Sequence, residues 1–355
     1  MSRTLQAVLV VALLAALGAA FAPASAQTRL FSDDAEIQIT IEAPINTLVR
    51  AARRSTDPYP AVVTVVAGAA PERFDVQLAA GGISRRTGGI CAFPPLRLNF
   101  DGDAVRGTIM QGQNKLKLVT RCRVGANYEQ ISVLEYTAYR LYNEVTPLSF
   151  RVRPARVTYR DSEGRREEDA QFNFLIEDVN DMARRNGRRV GLDVVSDTVR
   201  SSQLDAENSA RFGLFEYMIG NLDWDMVSGH PGEQCCHNSK LIAATQETRT
   251  DVISVPYDFD YSGFVNAPYA TPPEGINVQN VRQRYYRGYC RHNDQLPAVV
   301  AHFQSRRAAI LGVIDNEARL TPDRRRAARQ YIEGFFEILD DPERFQHMVV
   351  DRCRR

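Results

Sequence analysis

The chain is 355 residues long, 44% hydrophobic and 25% charged, with a formal net charge of +1. That length holds two modest lobes or one large domain, and the composition is that of an ordinary globule. A near-neutral chain has no overall field to draw in nucleic acid or a lipid surface, so neither is expected as a partner.

The first element in chain order is an export signal. Arg3 gives a positive start, Ala7 to Ala20 is an almost unbroken apolar run, and Ala24-Ser25-Ala26 fits the small-x-small cleavage rule before Gln27. The run is shorter than the ~20 residues a spanning helix needs. Residues 1–26 are therefore read as a signal peptide, and the protein as exported, periplasmic or secreted, with no membrane span after its removal. All six cysteines (Cys91, Cys122, Cys235, Cys236, Cys290, Cys353) lie beyond it, and an even number in an exported chain favours disulfides.

Residues 28–160 read as mostly β. Ile37 to Ile41, Phe74 to Leu78, Leu96 to Phe100 and Lys115 to Val119 alternate apolar and polar residues, and Ala61 to Val66 is a short buried-type run. Glycines 81, 82, 88 and 89 mark turns. A helix is predicted from about Ser132 to Asn143, with Val133, Tyr136, Tyr139 and Leu141 on its apolar face. Strands over Phe150 to Tyr159 and Phe172 to Ile176 flank a turn at Asp161 to Gly164, which completes a small α+β unit.

After Asp178 the pattern turns helical, over Asp205 to Gly220, over 296–315, and from Thr321-Pro322, an N-cap followed by proline at the first helical position. A last short helix starts at Asp340-Asp341-Pro342. No repeat or low-complexity linker separates the halves, so residue 178 reads as a lobe junction.

Three segments of the helical half concentrate chemistry: Gly220-Asn221-Leu222-Asp223-Trp224-Asp225, His237-Asn238-Ser239-Lys240-Leu241, and Pro256-Tyr257-Asp258-Phe259-Asp260-Tyr261-Ser262-Gly263. Phosphoryl transfer from a nucleotide needs a carboxylate to position the acceptor, hard oxygen ligands for Mg²⁺, and a lysine on the phosphates steadied by a glutamate. Asp223, Asn238 and Asp258 stand in the chain order that kinases use. Lys115 or Lys117, with Glu135 on the next helix, can supply the rest.

Other chemistries match less well. Gly107 to Lys115 lacks the Gly-Lys-Ser/Thr ending of a P-loop, and neither Gly-x-Ser-x-Gly nor His-Glu-x-x-His occurs. Cys235, Cys236, His237, Cys290 and His292 are zinc-type residues, but oxidising conditions favour pairing of the thiols. Tyr285, Tyr286 and Tyr289, interleaved with Arg282, Arg284, Arg287 and Arg291, are expected to form a buried helix face with an arginine fringe.

The run Asn221-Leu222-Asp223, then His237-Asn238, then Pro256-Tyr257-Asp258-Phe259 resembles the catalytic block of CotH-like (spore-coat protein H type) atypical kinases. Gly82-Ile83-Ser84-Arg85 resembles the family's glycine turn, Leu116-Lys117-Leu118 its lysine strand, Leu134-Glu135 the start of its paired helix, and Phe174 to Asp178 its inter-lobe crossover. The chain departs from the pattern in having Gly81 where an arginine is common, and a longer loop holding Cys235-Cys236.

The resemblance implies a protein-kinase-like two-lobed α+β fold, with a β-rich N-lobe over 27–178 and a helical C-lobe over 179–355. It implies Asp223 as the catalytic aspartate and Asn238 and Asp258 as metal ligands, with Asp260 as a further candidate. Lys117, favoured over Lys115, would hold the phosphates and pair with Glu135. The implied cofactors are Mg²⁺ or Mn²⁺ with ATP or another nucleotide, and the acceptor is a protein or small-molecule hydroxyl. The alternative is a catalytically inactive exported protein acting as a binding or structural module.

Two further expectations follow. If the strands beside Cys91 and Cys122 are antiparallel neighbours, those cysteines bond, leaving Cys290 to Cys235 or Cys236. Crowding of Asp223, Asp258 and Asp260 should raise at least one carboxyl pKa, so that Asp258→Asn slightly stabilises the metal-free protein. Phe259 is expected to anchor the Asp258 turn from beneath.

Overall fold

The computed structural model describes residues 29–86, 89–164, 167–191, 199–229 and 235–355. The expected signal peptide and the turn at Gly88 lie outside them. Among the described residues no helix is long and apolar enough to cross a membrane.

Seven strands form the first half: β1 (Ile37–Ala43), β2 (Tyr59–Val66), β3 (Glu72–Ala80), β4 (Leu96–Phe100), β5 (Lys115–Val119), β6 (Val152–Asp161) and β7 (Glu167–Ile176). Their alternation sends one set of side chains inward, where Ile37, Ile39, Ile41, Val63, Val65, Phe74, Leu98, Leu116, Leu118 and Val157 share one buried cluster. The periodicity read from sequence therefore locates these strands correctly.

The way they join corrects the expected fold. The strands close into a mixed barrel of order β1-β2-β3-β4-β5-β7-β6, in place of the open β-rich lobe of a typical two-lobed kinase. Closure comes from β1, which runs parallel to β6 from Ile37 opposite Ala155 to Ala43 opposite Asp161. A register shift between Val157 and Tyr159 marks a bulge in the β6–β7 ladder; bulges increase local bend and twist, as closure requires. Closure also removes the unpaired edges that an open sheet exposes. An alternating pattern reports which face of a strand is buried, not which distant strand lies beside it.

A second core joins the barrel to the rest. Helix α1 (Ile45–Ala51), which the periodicity did not indicate, follows β1, and α2 (Ala126–Val145) lies between β5 and β6. α2 runs longer than predicted, and Val133, Tyr136, Tyr139 and Leu141 are all buried as expected. They pack with Phe172 and Phe174 of β7 and with Phe215, Phe259, Phe303 and Phe335 from the C-terminal half. The helix is thus buried between both halves and fixes their relative position.

The C-terminal half holds α3 (Val179–Arg185), α4 (Ala206–Ile219), α5 (Leu296–Asp315), α6 (Pro322–Leu339) and α7 (Pro342–Met348). Asp205, Thr321 and Asp341 cap their helices by accepting backbone N–H bonds. A small antiparallel sheet of β8 (Arg189–Val190), β9 (Ser239–Ala243) and β10 (Ile253–Pro256), in the order β10-β9-β8, lies alongside.

Cys91–Cys122 forms as expected, because β4 and β5 are antiparallel neighbours. The expected bond from Cys290 to Cys235 or Cys236 is corrected: Cys290 bonds Cys353, and Cys235 bonds Cys236. The C-terminal tail decides this, since Arg354 N–H donates to Gly288 O at 2.8 Å and Cys290 N–H to Arg354 O at 2.9 Å. With these thiols in disulfides, none is left as a thiolate for zinc. Replacing Cys91 and Cys122 by alanine should lower stability by about 3–4 kcal/mol, the loop-closure entropy of a 31-residue separation. Denaturant unfolding of the double variant checks this.

Candidate functional site

The predicted catalytic segments meet where the β5 side of the barrel, α2 and the C-terminal half come together. α4 ends at Gly220, whose φ of 64° is left-handed and where any Cβ would collide with the Tyr331 hydroxyl. The chain then turns sharply into Asn221-Leu222-Asp223. Arg287 braces this loop by donating to the Leu222 and Trp224 carbonyls and stacking on the Trp224 ring at 4.9 Å.

This use of Arg287 corrects the expected helix face. Residues 281–289 run as irregular chain, with Tyr286 and Tyr289 buried and Arg284 also donating to carbonyls, those of Met218 and Tyr331. Arg282, Arg284 and Arg287 of this strap satisfy main-chain carbonyls of neighbouring segments, so their spacing was not a helical one.

Asp223 receives two partners from the second segment. His237 Nε2 lies 2.8 Å from its Oδ1, and Asn238 Nδ2 donates to its Oδ2 at 3.0 Å and to its carbonyl at 2.7 Å. His237, which sequence reasoning weighed only as a zinc-type residue, is thus a site residue beside Asp223. β9 and β10 bring the third segment alongside, with Tyr257 N–H donating to Asn238 O at 3.1 Å.

Asn238 and Asp258 both adopt left-handed backbone, with φ of 48° and 68°. Non-glycine residues rarely do so, Asn and Asp pay least, and such positions concentrate at functional sites. The Asp258 amide is satisfied by the Tyr139 hydroxyl at 2.8 Å. Phe259 is wholly buried, with ring centroids 4.6 Å from Tyr139 and 5.5 Å from Phe215, and anchors the turn as expected.

The barrel supplies the cations, with a change of partners. Lys117 Nζ lies 3.0 Å from Asp258 Oδ1 and over the Tyr257 ring at 5.5 Å. The expected Lys117–Glu135 pair is corrected: Glu135 pairs with Arg85, at 3.6 Å. Arg85, buried, reaches α2 from the turn after β3 and also donates to Thr120 O. The longer guanidinium takes the glutamate, which leaves the ammonium for the aspartate. Lys115, at the start of β5, is exposed.

Burial and these neighbours drive the carboxyls apart. Burial, with Asp260 adding to it, pushes Glu135 up to about 8 against the opposing pull of Arg85. Burial and the Asp258 charge push Asp260 up to about 6, while the Tyr269 hydroxyl donates to it at 3.0 Å. Burial would also raise Asp258, but Lys117 outweighs it and holds that carboxyl below its usual range. The expected raised pKa thus falls on Asp260, and on Glu135, which the sequence had assigned to a different role. With a cationic partner, Asp258 is expected to stabilise the metal-free protein, which reverses the sign expected for Asp258→Asn.

Among the described residues no group of three or more His, Cys, Asp or Glu side chains is gathered to hold a metal by itself. Glu135 Oε1 is nevertheless buried with no hydrogen-bond partner, and Asp258, Asp260 and Asn238 are hard oxygen donors. Such a set suits a cation that takes one or two carboxylates and completes its shell from phosphates and water, as Mg²⁺ does. No protein-family model matches this chain, and no curated protein aligns with it. The functional reading therefore rests on the geometry of the site.

Proposed function

We propose that the chain is a metal-dependent phosphotransferase that moves a phosphoryl group from ATP or another nucleotide to a protein or small-molecule hydroxyl. One observation carries the reading: Asp223, Asn238, Asp258 and Lys117, the last 141 residues before its partner, converge at one seam. Two of the four sit in left-handed backbone that packing must hold. The resemblance to CotH-like kinases is carried by these short motifs, and the chemistry is argued from the site because unrelated folds host the same constellations.

In this reading Asp258 and Asn238, with Asp260, hold Mg²⁺ or Mn²⁺, which supplies charge neutralisation of the phosphates. Lys117 would exchange its ion-pair partner, Asp258, for a phosphate oxygen. Asp223, oriented by His237 and Asn238, accepts or directs the acceptor hydroxyl proton. Three disulfides support an exported location, periplasmic or secreted.

A second reading has its own observation. Lys117 and Asp258 satisfy each other as an ion pair at 3.0 Å, which favours a non-catalytic module that keeps the constellation for structure. A melting-temperature titration with nucleotide, with and without Mg²⁺ or Mn²⁺, separates the two. The enzyme reading expects a saturable, metal-dependent gain that Lys117→Met removes; the absence of any gain with either metal favours the module.

A further inference from the structure

On the outer side of the glycine turn lies a cavity of about 260 Å³ lined by Val49, Ala52, Cys91, Ala92 and Pro94 and by four arginines, Arg50, Arg53, Arg85 and Arg86. Among the described residues no carboxylate lines it. We propose that this pocket is a separate ligand site that takes a phosphate-type oxyanion, free or as a small phosphomonoester.

Four guanidinium groups around one small cavity are unusual in a chain whose net charge is +1. Like charges repel, so such a cluster persists where packing holds it or where an anion balances it. Main-chain bonding accounts for Arg86, which donates to Ala52 O at 2.7 Å and Gly82 O at 3.0 Å and so closes the end of α1. Arg85 is held by the Thr120 carbonyl and by Glu135, which leaves Arg50 and Arg53.

Arg50 and Arg53 stand three residues apart at the end of α1, a spacing that puts both on one face. Both are exposed, and among the described residues neither has a carboxylate within ion-pair distance. Arg50 reaches Thr47 Oγ1 at 3.4 Å, and that hydroxyl donates to Glu163 at 3.0 Å. One acid thus approaches the rim through Thr47 without entering the cavity.

Arg85 adds a buried guanidinium residue to the wall of the cavity. It is 6% exposed, and its Nε has no hydrogen-bond partner. Planar guanidinium groups bind phosphate oxygens with paired, charge-assisted hydrogen bonds. The volume is several times the ~30 Å³ of one water, enough for a phosphate and the first atoms of the group it esterifies. Because Arg85 also holds Glu135, an anion here acts on the same guanidinium that faces the carboxylate cluster.

The test uses the disulfide-intact chain without nucleotide or metal. Inorganic phosphate and O-phosphoserine are titrated separately at constant ionic strength, with sodium chloride as the control, and melting temperature is followed. A saturable gain with either ligand is expected, and the two arms distinguish the free ion from the ester as the better fit. In Arg50→Ala/Arg53→Ala, whose altered side chains are exposed, the apparent affinity should fall about tenfold or more, while Lys117→Met should keep the full response. No saturable gain, or a gain equal in the double variant, overturns the proposal. A gain lost in Lys117→Met but kept in the double variant places the phosphate in the Lys117–Asp258 seam, which also overturns it. The pocket stands or falls independently of the proposed phosphotransfer.

Discussion

Asp258→Asn should abolish the melting-temperature gain produced by Mg²⁺ or Mn²⁺ with nucleotide, while costing the ligand-free protein about 1 kcal/mol. Asparagine is the informative substitution because it tolerates the left-handed φ of 68° that Asp258 adopts. The backbone is preserved and only the charge is removed. The ligand-free cost arises because Lys117, whose ammonium lies 3.0 Å from Asp258, keeps its position but loses its counter-charge. Its size stays modest because both side chains keep roughly a quarter to a third of their surface in water. Loss of the Asp258 charge also relieves Asp260 and Glu135, both of which it pushes up. Differential scanning fluorimetry of wild type and variant, with and without metal nucleotide, measures both quantities. A ligand-induced gain that survives the substitution would remove Asp258 from metal binding.

The ligand-free protein should lose stability as pH rises through neutrality, and Glu135→Gln should remove most of that loss. Glu135 has a folded-state pKa of about 8 against an ordinary value of 4.5. The folded state therefore holds a proton that the unfolded chain releases. Its stabilisation is complete below about pH 4.5 and is lost as pH climbs through about 8. Asp260, raised to about 6 from 3.8, contributes in the same direction over a lower window.

Asp258 has the opposite sign. Its depressed pKa stabilises the fold above the ordinary carboxyl range and is lost in acid. The sum is a stability maximum on the acid side of neutrality and a decline of a few kcal/mol toward pH 9, since each tenfold difference in proton affinity between folded and unfolded chain is worth about 1.4 kcal/mol. Glutamine mimics the protonated carboxyl, so the variant should match wild type near pH 5 and exceed it near pH 9. Urea unfolding at the two pH values reads this directly. Equal slopes in wild type and variant would show that Glu135 is not the group responsible.

Much of the local structure was legible in the chain itself. Alternation in Ile37 to Ile41, Phe74 to Leu78, Leu96 to Phe100 and Lys115 to Val119 placed four strands, since burying one face of a strand imposes a period of two. Thr321-Pro322 opened α6 where a side-chain cap and a residue lacking an N–H are both suited. Cys91 and Cys122 could be paired because two neighbouring strands fix their distance. The three polar segments that carry the site were also visible, because left-handed turns and buried carboxylates restrict the residue types that fit.

Tertiary structure decided the rest, and for one physical reason. Every outcome that differed depends on which distant group arrives first at a shared position. β1 pairs parallel with β6 and closes the barrel, a contact that no period along either strand records. The C-terminal tail beside Gly288 gives Cys290 to Cys353. Arg85, the longer side chain, claims Glu135, which turns Lys117 toward Asp258 and splits the carboxyl pKa values. Sequence determined which residues carry the charge and how each turns locally; packing across the seam determined which charges meet.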